Sequence, residues 1–130
     1  VRKDWQTLEL CDRFFDAIER KDYETLESCY APEAVIWHSH DCLYQPRADN
    51  LAMLKKGMET LPKTRFKERR VRVFEGGFVQ QHTIYVTRPD GFVGHMEVCF
   101  VAYVRDGMIS RAYEYFDTGQ IEKFIGPRKR

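Results

Sequence analysis

Residues 71–117 read VRVFEGGFVQQHTIYVTRPDGFVGHMEVCFVAYVRDGMISRAYEYFD, and the punctuation of this stretch decides the fold. Three tight-turn signals, Gly76-Gly77, Pro89-Asp90-Gly91 and Asp106-Gly107, divide segments rich in Val, Ile, Phe and Tyr. The pattern predicts strands from Arg65 to Glu75, Phe78 to Arg88, Phe92 to Arg105 and Met108 to Asp117. Strands joined so tightly must run antiparallel, because a parallel connection needs a crossover of a dozen or more residues. These runs exceed the usual strand length. The sheet is therefore expected to curve, at Gly76-Gly77 or at Gly94.

Upstream, Trp5, Leu8, Cys11, Phe14, Phe15 and Ile18 recur at three- and four-residue steps, which predicts an amphipathic helix from Asp4 to Ile18. Lys21-Asp22 interrupts it. Asp22 can cap a second helix, Tyr23 to Tyr30, which Ala31-Pro32 ends. Val35, Ile36 and Trp37 favour a strand from Ala34 to His40. Asp41 to Pro46 reads as a connection. A third helix follows Arg47, with Asp49 or Asn50 as cap and Leu51, Leu54, Met58 and Leu61 buried; Leu61-Pro62 stops it. A short helix from Thr118 to Phe124 closes the chain. The expectation is one α+β domain over residues 1–130: a curved, mostly antiparallel sheet wrapped around about three helices, with an open-ended cavity inside.

Composition narrows the function. Hydrophobic residues make up 43% and charged residues 32%, as in globular chains. Lys plus Arg (21) balances Asp plus Glu (20), and a net charge of +1 gives no reason to invoke nucleic acid or an acidic membrane surface. The basic cluster Pro127-Arg128-Lys129-Arg130 reads as a solvated tail. No apolar run approaches the roughly 20 residues of a membrane span, and no leader pattern precedes Trp5. Cys11, Cys29, Cys42 and Cys99 lack CxxC spacing and read as free thiols in a reduced, cytoplasmic setting. No phosphate-binding Gly loop, GxSxG, HExxH or Cys/His zinc pattern occurs, so neither cofactor nor metal is expected. The one place where two imidazoles share a strand face is His38-Ser39-His40.

Alternation assigns the faces. Ile36, His38 and His40 share one face of the first strand; Val35, Trp37 and Ser39 share the other. His82 shares a face with Phe78, Gln80, Ile84 and Val86, which points its imidazole inward. On the first helix Glu19 falls within the arc of Leu8, Cys11 and Phe15, with Asp12 beside it and Asp16 at the edge. A carboxylate on a core-facing stripe needs a partner or becomes neutral. A buried histidine is the natural one, which pairs Glu19 with His82. The plainer alternatives are a neutral core histidine bonded to backbone and a Glu19 side chain bent out to water. Glu114 lies with Ala112 and Phe116, opposite Arg111, Tyr113 and Tyr115; Glu97 and Cys99 alternate with Val98. One carboxylate per strand can orient a base or protonate a leaving group; a salt bridge with Arg105 or Arg111 is equally ordinary.

Three segments carry a family resemblance: Lys21-Asp22-Tyr23 through Cys29-Tyr30-Ala31-Pro32, Phe78-Val79-Gln80-Gln81-His82, and Tyr113-Glu114-Tyr115-Phe116-Asp117. Through them the chain resembles the nuclear transport factor 2-like superfamily, which includes SnoaL-like cyclases, ketosteroid isomerases, limonene epoxide hydrolases and, most similar locally, scytalone dehydratase. The resemblance implies a cone-shaped, cystatin-like sheet. It implies His82 as a catalytic histidine, Glu19 as its acidic partner and His38 in place of a substrate-facing tyrosine. The dehydratase's second catalytic histidine has no counterpart between Arg65 and Arg70. Against the isomerase, His38 matches the general base, but Phe14 replaces an oxyanion-binding tyrosine and Cys99 stands near its protonated aspartate. Against the epoxide hydrolase, Glu114 matches a catalytic aspartate, while Thr83 and Tyr85 replace its Arg and Asp.

The implied function is a cofactor-independent, dehydratase-like lyase or isomerase acting on a small apolar cyclic molecule by general acid–base chemistry. His82, Glu19 and His38 would be catalytic. Phe14, Tyr30, Trp37, Glu97, Cys99, Glu114 and Phe116 would contact the ligand, with Tyr30, Tyr85 or Tyr113 as hydroxyl donors. The other reading is a non-catalytic module that binds a small ligand or forms a homodimer through the outer sheet face, where Trp37, Tyr103, Tyr113 and Tyr115 lie.

Overall fold

The structure is a computed structural model that describes residues 2–126; the basic cluster Pro127-Arg128-Lys129-Arg130 lies outside them. Helix α1 (Arg2–Arg20) buries Leu10, Cys11, Phe14, Phe15 and Ala17 along its apolar stripe. Lys21 turns into the left-handed region at φ 61° and ends it, and the Asp22 N–H returns to the Ala17 carbonyl at 2.9 Å. Asp22 caps α2 (Tyr23–Ser28): its carboxylate accepts from the Thr25 N–H at 3.2 Å and from the Thr25 hydroxyl at 2.6 Å. Helix α2 stops before the predicted Tyr30, because Tyr30-Ala31-Pro32 is already extended and opens β1 (Tyr30–His38). Pro32 fits there, at the start of a strand where the ladder is irregular.

Part of the predicted connection is a strand. Edge strand β2 (Leu43–Pro46) pairs antiparallel with β1. Helix α3 (Arg47–Thr60) then starts without a side-chain cap; Asp49 and Asn50 fall inside its first turn rather than before it. Strands β3 (Lys63–Phe74), β4 (Gly77–Thr87), β5 (Val93–Arg105) and β6 (Met108–Phe116) complete one sheet in the order β2-β1-β6-β5-β4-β3. All neighbours are antiparallel except β1 and β6, whose parallel register sets His38 beside Glu114.

Register breaks at Tyr30/Val35, Lys67/Arg70 and Tyr103/Val104. Such bulges kink a strand and increase its twist, and none of the three falls at Gly76-Gly77 or Gly94, where bends were expected. At the second break Glu68 adopts φ 56°. The curled sheet closes over α1 and α3 around a core that includes Phe14, Phe15, Ile36, Phe78, Phe100 and Ala112. The Phe14 and Phe100 rings stack with centroids 5.6 Å apart. After β6, the Asp117 carboxylate accepts from the Gly119 N–H at 2.9 Å, opening a 3₁₀ turn (Thr118–Gln120) that leads into α4 (Ile121–Ile125). Among the described residues the architecture is α+β with four α-helices, the last of them, five residues long, in the place of the expected short closing helix. Among the described residues no helix is long and apolar enough to cross a membrane.

Candidate functional site

Between the concave sheet face and α1, α3 and α4 lies a cavity of about 480 Å³. Its walls are apolar: Phe14, Phe15 and Ile18 from α1, Met53, Leu54 and Met58 from α3, and Ile36, Phe66, Ile84, Val86, Met96, Val98, Phe100 and Phe116 from the strands. Polar groups are few. His38, His40 and Glu114 form one cluster, Tyr30 and Asn50 another, and Lys21 and Thr64 complete the set.

The β1–β6 register aims His38 and Glu114 into the same space, with Nε2 and Oε1 3.8 Å apart. That is too long for a hydrogen bond and short enough for either group to sense the other's charge. Among the described residues nothing donates a hydrogen bond to the Glu114 carboxyl. Burial pushes its pKa up to about 7. Although its side chain is 30% accessible, that surface faces the cavity, whose apolar walls keep the local dielectric low. Burial pushes His38 down from 6.5, with His40 adding to the shift and Asp41 opposing it. His38 and His40 rings lie 5.7 Å apart, and His40 stacks on Phe116 at 5.5 Å.

The second cluster is a hydrogen-bonded chain. The Tyr30 hydroxyl and Asn50 Oδ1 are 2.7 Å apart, and Asn50 Nδ2 and Gln45 Oε1 are 2.9 Å apart. Burial raises the Tyr30 pKa well above 10, and the Glu114 charge adds to the rise. Asn50 had a signal in the sequence: it precedes Leu54 and Met58 at four-residue steps, on the stripe that faces the core.

The structure does not bring Glu19 and His82 together as a hydrogen-bonded pair, and neither lines the cavity. Glu19 Oε2 instead accepts from the Phe66 backbone N–H at 2.7 Å. His82 is 4% exposed, edge-on to Phe15 and Phe66 with centroids 5.2 and 5.1 Å away. Its Nδ1 meets Gln80 Nε2 at 2.9 Å. The orientation follows from Arg69. Its Nε donates to Gln80 Oε1 at 2.9 Å, so the amide turns its NH₂ toward His82 and Nδ1 must accept. The imidazole is thus the neutral Nε2–H tautomer, and burial beside Arg69 pushes its pKa down to about 4. Cys11 donates to the same Gln80 oxygen at 3.3 Å, with its own thiol pushed up to about 12 by burial.

Among the other expected ligand contacts, Phe14, Tyr30, Glu114 and Phe116 line the cavity; Trp37, Glu97 and Cys99 do not. These three alternate onto the opposite face. Trp37 packs on Tyr115 and Tyr113 at 5.1 and 6.0 Å, Cys99 pairs with Tyr115, and Glu97 pairs with Thr83. Tyr85 and Tyr113 likewise lie outside the cavity, Tyr85 beside His95 at 5.6 Å.

Comparison with solved structures places this geometry. An epoxide hydrolase from M. tuberculosis resembling limonene epoxide hydrolase matches with a TM-score of 0.80 at 14% identity, covering 95% of this chain and 92% of that one. A provisionally named SnoaL-like polyketide cyclase from Shewanella denitrificans OS-217 matches with 0.80 at 12% identity, covering 92% and 96%. A nuclear transport factor 2-like protein of unknown function from Burkholderia pseudomallei K96243 matches with 0.79 at 15%, covering 94% and 98%. At these identities the likeness establishes the nuclear transport factor 2-like fold. No curated protein matches in sequence. The SnoaL-like domain family matches residues 11–112, from α1 to the middle of β6. By that match over most of its length, the chain belongs to the SnoaL-like domain family.

Proposed function

We propose that the chain is a general acid–base catalyst of the lyase or isomerase kind, acting on an apolar cyclic ketone or hydroxyketone without a cofactor. The observation that carries this reading is the His38–Glu114 pair: two titratable groups 3.8 Å apart in a largely apolar cavity. Near neutral pH His38 is an uncharged base, while Glu114, with a pKa of about 7, retains a proton on about half the molecules. Pairs whose environments set complementary protonation states are suited to acid–base work.

In a dehydration, His38 removes a proton next to the substrate carbonyl and that C–H pair forms the new C=C bond. The C–O bond breaks, and Glu114 delivers its proton to the departing hydroxyl, releasing water. The resulting imidazolium and carboxylate reset by proton exchange. An isomerisation would use one group to remove the proton and return it elsewhere. The Tyr30–Asn50 chain would orient a ligand oxygen. His82 and Glu19, held by Gln80 and by the Phe66 N–H, serve the architecture in this reading. The cyclase and epoxide-hydrolase names of the structural relatives are compatible with proton transfer in such a cavity.

The test is a screen of cyclic ketones, hydroxyketones and epoxides, with α-proton exchange in D₂O followed by NMR. His38→Ala and Glu114→Gln should each lower kcat by about 10²-fold or more, and His82→Gln by far less. Unchanged exchange and turnover in both of the first two variants would falsify the assignment. A second reading concerns assembly: Tyr103 and Tyr115 are 45% and 46% exposed on the outer face beside Trp37, a surface suited to a homodimer.

A further inference from the structure

The two ends of the cavity differ in charge. At one end His38 and Glu114 meet across β1 and β6. At the other, Lys21 and Thr64 line the wall. Helix α1 and strand β3 run past each other in opposite directions: Asp12 meets Arg69 and Glu19 meets Phe66. The same progression carries Lys21 toward the start of β3, where Thr64 stands. Three inter-strand steps of about 4.8 Å separate β6 from β3, roughly 14 Å along the sheet. The wall between them is apolar, built by Met96 and Val98 of β5 and Ile84 and Val86 of β4.

Lys21 is exposed at the rim, where the cavity meets solvent. Its backbone is left-handed, at φ 61°, a conformation in which glycine is the ordinary residue. The acids nearest in sequence are engaged elsewhere. Asp22 caps α2 through Thr25 and reaches Arg20, and Glu19 accepts from the Phe66 N–H. Among the described residues no carboxylate pairs with Lys21. The interior disfavours negative charge, since burial there pushes Glu114 up to about 7. An anionic group on a ligand is therefore better placed at the rim, where water reaches it and a cation stands. We propose that the ligand is a monoanion held in one orientation, its carboxylate on the Lys21 ammonium and Thr64 hydroxyl and its apolar rings extending inward to His38 and Glu114. The substrate class narrows to a cyclic ketone or hydroxyketone that bears an acidic arm. This rests on the proposed reading of the cavity as the ligand site, and not on which groups move protons there.

Two fluorophores of matched shape test it: 1-pyrenebutyrate, whose arm ends in a carboxylate, and 1-pyrenebutanol, whose arm ends in a hydroxyl. At pH 8 and low salt, Lys21→Met should weaken pyrenebutyrate binding about tenfold and leave pyrenebutanol unchanged. Lys21→Arg should retain the wild-type preference. Lys21→Gly removes the cation while relieving the left-handed backbone, so pyrenebutyrate should weaken as in Lys21→Met with no fall in Tm. Added salt should weaken pyrenebutyrate in the wild type and not in Lys21→Met. Glu114→Gln should keep the dependence on Lys21, so loss of the acid–base reading would leave this result standing. A lysine that only complements the C-terminal carbonyls of α1 would leave both probes unmoved by Lys21→Met. That outcome, or an equal loss of both probes, would overturn the anion site. Failure of both probes to bind the wild type would overturn the choice of cavity, and the proposed function with it.

Discussion

Burial acts on two residues in opposite senses, and each leaves a signature in stability against pH. Glu114 has its folded pKa raised to about 7, from 4.5 for the free group, so folding favours its protonated form. That contribution is complete below about 4.5 and is lost as pH rises through 7. It amounts to about 1–3 kcal/mol, and Glu114→Gln should flatten this alkaline slope in urea melts. His82 has its folded pKa depressed to about 4 from 6.5, so its neutral form is favoured. Its contribution is complete above 6.5 and is lost as pH falls toward 4. His82→Gln should remove that acid slope, also about 1–3 kcal/mol. At this scale the sequence disclosed which side chains share a face and not where along the strand the cavity stops. His82, Ile84 and Val86 alternate identically, yet Ile84 and Val86 line the cavity while His82 sits outside it, between Phe15 and Phe66. Alternation encodes a direction; the cover over each position is set by a helix far away in the chain.

Helix α1 and strand β3 show what an element contributes beyond its own residues. Unbroken alternation would put Arg69 with Lys67, away from the core. The bulge at Glu68 turns Arg69 toward α1, where it meets Asp12 at 2.9 Å, Asp16 at 3.1 Å and the buried Gln80. With Glu19 on the Phe66 N–H, three acidic residues along α1 bond to the terminal strand of the sheet. Covering a terminal strand in this way protects it from pairing with other chains. Arg69→Ala should cost about 2–3 kcal/mol, because it strips the buried Gln80 oxygen of its charged donor. The urea midpoint should fall with the slope unchanged. Asp12→Ala should cost less than about 1 kcal/mol, as that carboxylate is exposed. The helical arc correctly turned Glu19 toward the sheet, but its partner depends on a bulge that no residue type in Glu68-Arg69-Arg70 announces.

For the whole molecule, the hairpin turns made the antiparallel half legible and left its closure unseen. Strand β2 is four residues ending in Pro46, too short to register as a strand, and the parallel β1–β6 pairing joins segments that no turn connects. The outer face tests assembly at this scale. Tyr115→Arg, on a half-exposed aromatic, should shift a homodimer toward monomer in sedimentation with the cavity unaltered. A species of the same mass in both proteins would remove the sheet face as the interface.

The parallel seam between β1 and β6 has a consequence for synthesis on the ribosome. His38 emerges early and must wait for almost the entire remaining chain before Glu114 appears beside it. A nascent chain cut short before β6 has α1 to α3 and the β3–β4 and β4–β5 hairpins, but it lacks α4, the His38–Glu114 neighbours and the finished cavity wall. Long-range pairings of this kind form late and slow folding. The His38–Glu114 juxtaposition should therefore arise only once β6 has been made and has docked beside β1.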